Sequence, residues 1–341
     1  MPDKKKIKIN FLDFWDDFNK NDNIFVDILK KHYDVEISSN PDFLFVTYMH
    51  FVDRPYEYTE YDCVRILVSW DALYPDFNTF DYAITNFKME CGDRHLWYPY
   101  GFVDVKKIRK LESDKRNISD DILAEKVNFC DFIYSHSDMF GAWRDKAYDA
   151  FSEYRPVLSA GSYRNNMPKS EKVTMTNKFF IQKTCKFSIA FEGFSERGYI
   201  SEKIFDAYRA NTIPIYYGNS ETVKDFLNPK SYINISDYGN DMKKVLDRVK
   251  YLDSNDDRYI SMLNEPVFIN HNYFDEMYSK LEKFLVHIFD QDSEKAVRRI
   301  KGITPRTQEI LLNNYYKFRT QYKPVYWTFK VIEKIKSFLK K

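Results

Sequence analysis

Five side chains in one short run carry the groups from which a phosphate-binding site can be built. The run Lys186–Gly218 reads KFSIAFEGFSERGYISEKIFDAYRANTIPIYYG and brings Glu192, Tyr199, Ser201, Glu202 and Lys203 close together in sequence. The stretch Phe187–Glu192 is apolar and ends on a carboxylate, which predicts a strand, and Gly193 to Gly198 predicts a loop. Ile200, Ile204, Phe205 and Tyr208 then recur at helical spacing, which predicts a helix over 199–210 with Tyr199, Ser201, Glu202 and Lys203 in its first turn. Ile213–Tyr217 is the next strand candidate and closes a βαβ unit. Such a unit turns free N–H groups and partial positive charge toward the carboxyl edge of a parallel sheet, where phosphates bind; Lys203 adds a full charge there. The segment therefore predicts a diphosphate site with a carboxylate beside it. The same residues also fit plainer roles, Glu202 as an acid favouring the helix start and Tyr199 as a packing residue.

The rest of the chain predicts an α/β fold twice over. In the first half, strands are expected over 6–12, Phe43–Tyr48, Val64–Ser69, Tyr82–Thr85 and Phe129–Ser135, with helices over Asn23–Tyr33 and Phe140–Tyr154. In the second half the expected order is strand 187–192, helix 199–210, strand 213–217, strand 232–235 and helix Asp241–Tyr251, then long helices over Asp275–Phe289 and after Thr304. The polar, basic stretch Pro156–Lys172 marks the expected junction, giving domains over 1–155 and 156–294 and a tail over 295–341. The tail carries 13 Lys/Arg against two Glu, interleaved with Tyr, Trp, Phe, Val and Ile. That composition fits a basic amphipathic helix lying on an anionic membrane surface through 301–341, and equally a helix packing back on the N-terminal domain.

Composition narrows the possible partners. With 52 basic and 51 acidic residues the charge is balanced, and nothing in it asks for nucleic acid. Aromatics make up 18% of the chain; their faces suit sugar stacking as well as a core. Cys63, Cys91, Cys130 and Cys185 lack metal-ligand spacing, which points to a reduced, cytoplasmic setting rather than a disulfide framework. No apolar stretch approaches ~18 residues, and the N-terminus lacks an apolar signal-peptide core. His95, His136 and His271 show no ligand spacing, and the only D-x-D triplet, Asp290-Gln-Asp292, follows a helix near the C-terminus, so no metal site is expected.

Three blocks resemble the family 10 α-1,3/4-fucosyltransferases. The first matches their donor motif of F-E-N-S, Y-x-T/S-E-K, an A-Y helix and I-P-I/V-Y-x-G, here FEGF, YISEK, DAYRA and IPIYYG. Gly193 stands where the family has Asn. The second is VSWDALYPDFNTFDYAI over Val68–Ile84, and the third runs FCDFIYSHSDMFGAWRDKAYDAFSEYRPV into SAGSYRNN. The resemblance implies a GT-B architecture, two Rossmann-like domains facing a cleft. It implies an inverting transfer of fucose from GDP-fucose to an oligosaccharide or glycolipid hydroxyl, O3 of GlcNAc, in surface polysaccharide, lipopolysaccharide or protein glycan synthesis. It places the general base at Asp71, one methylene shorter than the family Glu, with Glu90 as the alternative base and a turn-capping Asp as the plainer reading. It implies that Glu202 stabilises charge on the sugar ring and that Arg164 and Lys203 meet the donor diphosphate. Tyr199, Glu192 and Gly193 complete the implied donor site, no metal is needed, and Arg144 on its helix reads as structural. Animal members carry an N-terminal anchor, so the chain resembles the bacterial type, cytoplasmic or peripheral to the inner face of the membrane. A same-fold transferase for another nucleotide sugar and a non-catalytic glycan-binding protein remain the alternatives.

Overall fold

Two parallel sheets organise the chain, and central strands such as Phe43–Val46, Val64–Ser69 and Ile213–Tyr217 are short, mostly apolar runs of the kind that bury both faces. The computed structural model describes residues 4–49, 54–112, 116–138, 142–168, 177–300 and 302–339. The first sheet contains β1 Lys6–Leu12, β2 Asp34–Ile37, β3 Phe43–Val46, β4 Val64–Ser69, β5 Tyr82–Thr85 and β6 His95–Trp97. Its spatial order is β2-β1-β3-β4-β5-β6, and all six residues of β4 are buried. The second contains β7 Asn128–Asp131, β8 Val157–Leu158, β9 Cys185–Phe191, β10 Ile213–Tyr217 and β11 Ile233–Asn234. Its order is β11-β10-β9-β7-β8, every neighbouring pair parallel. Helices return the chain between strands, as parallel pairing requires. Two Rossmann-like α/β units define the GT-B architecture.

The units divide the chain differently from the expected boundary at 155/156. One compact unit is Met1–Thr85, Met89–Leu96 and Lys280–Lys341; the other is Asn86–Lys88 and Trp97–Ser279. The physical reason lies in two pairings. β7, expected in the first domain, pairs with β9 along Asn128↔Cys185 and Cys130↔Phe187 and so belongs to the second sheet. The chain end returns to the first sheet: Asp81, wholly buried at the start of β5, accepts the backbone N–H groups of Arg65, Arg298 and Arg299 at 2.7–2.9 Å and pairs with the Arg299 guanidinium. Phe140, the last residues of the Pro156–Lys172 stretch, and Lys301, Lys340 and Lys341 of the tail lie outside the described residues.

The tail forms two helices with different surroundings. Ile303–Thr320 packs on the first unit, where Glu309 pairs with buried Arg65 at 2.5 Å and Asn313 Nδ2 donates to Thr59 Oγ1 at 2.9 Å. In Lys323–Leu339, Tyr326 is buried beside Phe318, whereas Val325, Trp327, Phe329, Val331, Ile332 and Ile335 are exposed. Among the described residues no helix is long and apolar enough to cross a membrane.

Candidate active site

Of the expected site residues, Glu192, Gly193, Tyr199, Glu202 and Lys203 gather where β9 ends. Glu192 follows directly on β9, wholly buried, and its own N–H donates to Tyr217 O at 2.8 Å, continuing the ladder with β10. The Ser201 N–H donates to Glu192 Oε1 at 2.8 Å and Ser201 Oγ donates to Oε2 at 2.7 Å. This capture delays the helix. It begins at Lys203 and runs to Arg209, so Tyr199 and Ser201 precede it rather than forming its first turn. Gly198 makes the approach possible: its φ is +92°, and a Cβ there would lie 2.3 Å from Lys88 N. At the end of β10, a Cβ on Gly218 would lie 2.2 Å from Tyr216 Oη and 3.0 Å from Glu192 Cγ, so only glycine lets the chain pass over the glutamate.

Above the buried glutamate lies a chain of alternating charge. Lys203 Nζ donates to Ser201 Oγ at 3.0 Å and sits 3.7 Å from Glu192 Oε2 and 3.6 Å from Glu202 Oε1. Lys178, from the helix Lys178–Lys183, pairs with Asp206 at 2.8 Å and approaches Glu202 to 4.0 Å. Burial pushes Glu192 above the ordinary carboxylate range, against Lys203 and the Ser201 hydrogen bonds. Burial acts the same way on Glu202, but Lys203 and Lys178 outweigh it and hold that carboxyl below the ordinary range, so it is anionic at neutral pH. Tyr199 is buried between the rings of Phe87 and Phe194, each centred 5.8 Å away. Glu192 thus supports the loop from beneath, while Lys203 and the partly exposed Glu202 form its upper surface.

The structure holds Arg164 elsewhere on the same unit. It lies in the loop after β8, the strand at the sheet's far side from β11, with φ +52°. Its guanidinium pairs with Asp145 at 2.8 Å and with Asp149, both on the helix Trp143–Ser152, and stacks over Tyr148 at 4.9 Å. The cation at the end of β9 is Arg144. Its side chain is 3% exposed; Nη2 donates to Phe191 O and Nη1 to His136 O, both at 3.2 Å, and it covers the Tyr134 ring at 4.3 Å. Its Nε is buried without a hydrogen-bond partner among the described residues. Gly193 adjoins it: a Cβ there would meet Arg144 Nη2 at 3.6 Å, ordinary contact. The signal for Arg144 was present in the sequence, because Arg144, Ala147 and Phe151 fall on one helical face and all three are buried. A cation on a buried face needs a reason.

Asp71 belongs to the first unit, two residues beyond the end of β4. It is exposed, and its backbone carbonyl accepts from Leu73 N–H at 2.8 Å in a tight turn. The preceding Trp70 belongs to an aromatic group, with ring centroids 6.5 Å from Phe25 and 6.3 Å from Trp15. Glu90 is exposed as well. No group of three or more His, Cys, Asp or Glu side chains among the described residues could hold a metal ion.

Two parallel α/β units, one carrying a strand end of alternating charge, have the GT-B glycosyltransferase fold. Residues 9–103 match the α-(1,3)-fucosyltransferase FucT N-terminal domain, and residues 123–265 match the C-terminal part of glycosyltransferase family 10 (fucosyltransferase). The chain belongs to glycosyltransferase family 10. It is 30% identical over 296 residues to the α-(1,3)-fucosyltransferase FucT of Helicobacter pylori, a match covering 76% of this chain and 60% of that protein. It is 30% identical over 125 residues to 4-galactosyl-N-acetylglucosaminide 3-α-L-fucosyltransferase 9 of Bos taurus, covering 33% of this chain and 34% of the relative. The chain therefore spans well under the full length of these curated relatives. A crystal structure of an α1,3-fucosyltransferase with GDP-fucose shares the fold, with a TM-score of 0.62, 24% identity, and coverage of 84% of this chain and 92% of the other.

Proposed function

We propose that the protein is an inverting α-1,3-fucosyltransferase that moves fucose from GDP-fucose to a glycan hydroxyl, O3 of GlcNAc. The observation that carries the reading is the strand-end cluster of Glu192, Ser201, Glu202 and Lys203, set in a chain whose two halves match the two halves of this family. In the reaction, the acceptor oxygen attacks C1 of fucose as the C1–O bond to the β-phosphate breaks. The bonding electrons leave with GDP. Asp71 takes the acceptor proton. Anionic Glu202 faces the positive charge that develops on the sugar ring. Lys203 and Arg144 meet the charge that develops on the leaving diphosphate. Arg144 is preferred to Arg164 because it ends at β9 with an unsatisfied Nε, whereas Arg164 is already engaged by Asp145 and Asp149. Glu192 acts indirectly, fixing Ser201 and Lys203.

The test is a donor-by-acceptor screen with product linkage determined. GDP release that depends on GDP-fucose and on a GlcNAc-containing acceptor is expected, with fucose on O3. Faster turnover with a different nucleotide sugar would replace the donor assignment, and donor binding without turnover on any acceptor would favour a glycan-binding protein. The proposal extends to location. The exposed apolar residues of Lys323–Leu339 and the basic tail would hold the enzyme at the anionic inner face of a membrane. Removal of 323–341 should abolish sedimentation with phosphatidylserine vesicles and leave turnover on a soluble acceptor intact; unchanged sedimentation would refute that role.

A further inference from the structure

A cavity of about 370 Å³ opens beside β11, the edge strand of the second sheet, and none of the proposed transfer chemistry uses it. Its size falls within the ~300–1,000 Å³ of small-molecule sites. Three cations from three separate elements line it: Lys230 from the loop before β11, Arg248 from the helix Met242–Asp253 and Arg258 from the helix Asp256–Leu263. Neither arginine nor Lys230 forms an ion pair among the described residues. The lining carboxylates are already engaged, Asp237 by Lys224 at 2.5 Å and Glu265 by Asn228 Nδ2 at 3.1 Å. The wall also carries two tyrosines, Tyr232 and Tyr238. Tyr232 is 3% exposed, and its hydroxyl is buried without a hydrogen-bond partner among the described residues.

We infer that this cavity binds a sugar ring carrying an oxyanion, such as a phosphate or carboxylate group. Two guanidinium groups and an ammonium without ion pairs among the described residues line one space and favour an anion, with Arg248 also lying over the Tyr251 ring at 5.3 Å; Arg forks match oxyanion geometry. Aromatic walls beside polar groups suit the mixed faces of a sugar ring. The donor cluster follows β9, at the centre of the sheet, so the two sites are distinct and the inference stands independently of the donor assignment.

Calorimetry on the full chain, with saturating GDP present to occupy any nucleotide site, tests it with glucose 6-phosphate, inorganic phosphate and glucose as probes. Saturable binding of glucose 6-phosphate is expected, tighter than that of phosphate and absent for glucose. The Arg248→Ala/Arg258→Ala variant should lose about tenfold or more of that affinity, with GDP affinity unchanged. Arg258 is exposed, so Arg258→Ala alone keeps the fold and should show a smaller loss at an unchanged melting temperature. Glucose 6-phosphate binding no tighter than phosphate would overturn the sugar assignment. Absence of saturable binding, or equal affinity in Arg258→Ala and the double variant as in the wild type, would overturn the site itself.

Discussion

The carboxyl ends of the two central strands are built on opposite plans. At the end of β9, a wholly buried glutamate fixes Ser201 through both its oxygens, and Lys203, Glu202, Lys178 and Asp206 continue in alternating charge above it. At the end of β4, Asp71 is an exposed carboxylate on a tight turn beside a group of tryptophan and phenylalanine rings. Groups locked by several partners before a ligand arrives need little reorganisation when charge develops. The second plan leaves the Asp71 carboxylate accessible, as the role of proton acceptor proposed for it would require. The contrast fits the proposed reaction, in which a fixed donor side would face a more open acceptor side.

The largest effect should come from the exposed end. Asp71→Asn keeps size and hydrogen bonding but cannot take a proton, so turnover should fall by about 10²–10⁴. GDP-fucose affinity, measured by calorimetry, should stay at the wild-type value. Asp71→Glu lengthens the carboxylate by one methylene and should retain or raise turnover if the turn tolerates the longer reach. Wild-type turnover in Asp71→Asn would break the comparison and make Glu90 the next residue to change.

The locked end should respond in binding instead. Lys203→Ala removes the cation nearest Glu192 and Glu202, and GDP affinity should drop by roughly 1.5–3 kcal/mol. Arg164→Ala should leave GDP affinity unchanged, because its fork is already held by Asp145 and Asp149. A loss in Arg164→Ala as large as in Lys203→Ala would show that Arg164 leaves its aspartates when the donor binds.

Particular residues explain what could be read in the chain before the structure. Val64–Ser69, Tyr82–Thr85 and Ile213–Tyr217 were legible to the residue, because short apolar runs bounded by turn residues have few other uses. Two-residue β8 was not, since Val157–Leu158 is too short for any periodicity. The helix start at Lys203 was misplaced because apolar spacing through Ile200 looks helical. What sets the start is a tertiary hydrogen bond, from Ser201 to Glu192. The unit boundary was illegible for the same kind of reason. Asp81 gathers Arg298 and Arg299 from 217 and 218 positions away, a pairing that no local pattern encodes. Glu192 was legible as a carboxylate at a strand end but not as a buried support, because its burial depends on Gly198 and Gly218 letting the backbone close over it.

Burial in the second unit also predicts a pH effect on stability. Asp131 on β7 is buried; Ser188 Oγ donates to its Oδ1 at 2.9 Å, and its Oδ2 has no partner among the described residues. Burial pushes its carboxyl up to about 7. The folded state therefore holds this proton through a range in which the unfolded chain, titrating near 3.9, has lost it. The resulting stabilisation is full below about pH 4 and is lost as pH rises through about 7. Between pH 5.5 and 8 the wild type should lose on the order of 2 kcal/mol from this group, and Asp131→Asn should remove that slope in urea titrations. An identical slope in the variant would show that Asp131 is ionised in the folded protein.

The smallest expected effect tests the locked end at its one open position. Gly193 follows Glu192, its φ lies outside the left-handed region, and a Cβ there would meet Arg144 Nη2 at 3.6 Å, an ordinary contact, so the backbone there accepts a Cβ. Gly193→Asn should therefore change stability by no more than about 0.5 kcal/mol. Its amide would lie beside the Arg144 guanidinium and add one hydrogen-bonding group to the donor cluster. If the donor uses that space as proposed, GDP-fucose affinity should rise by about 0.5–1.5 kcal/mol while GDP affinity moves less. Equal gains for both ligands would put the new contact on the diphosphate. A loss of GDP-fucose affinity at unchanged stability would mean that the bare backbone at Gly193 is itself part of the sugar pocket.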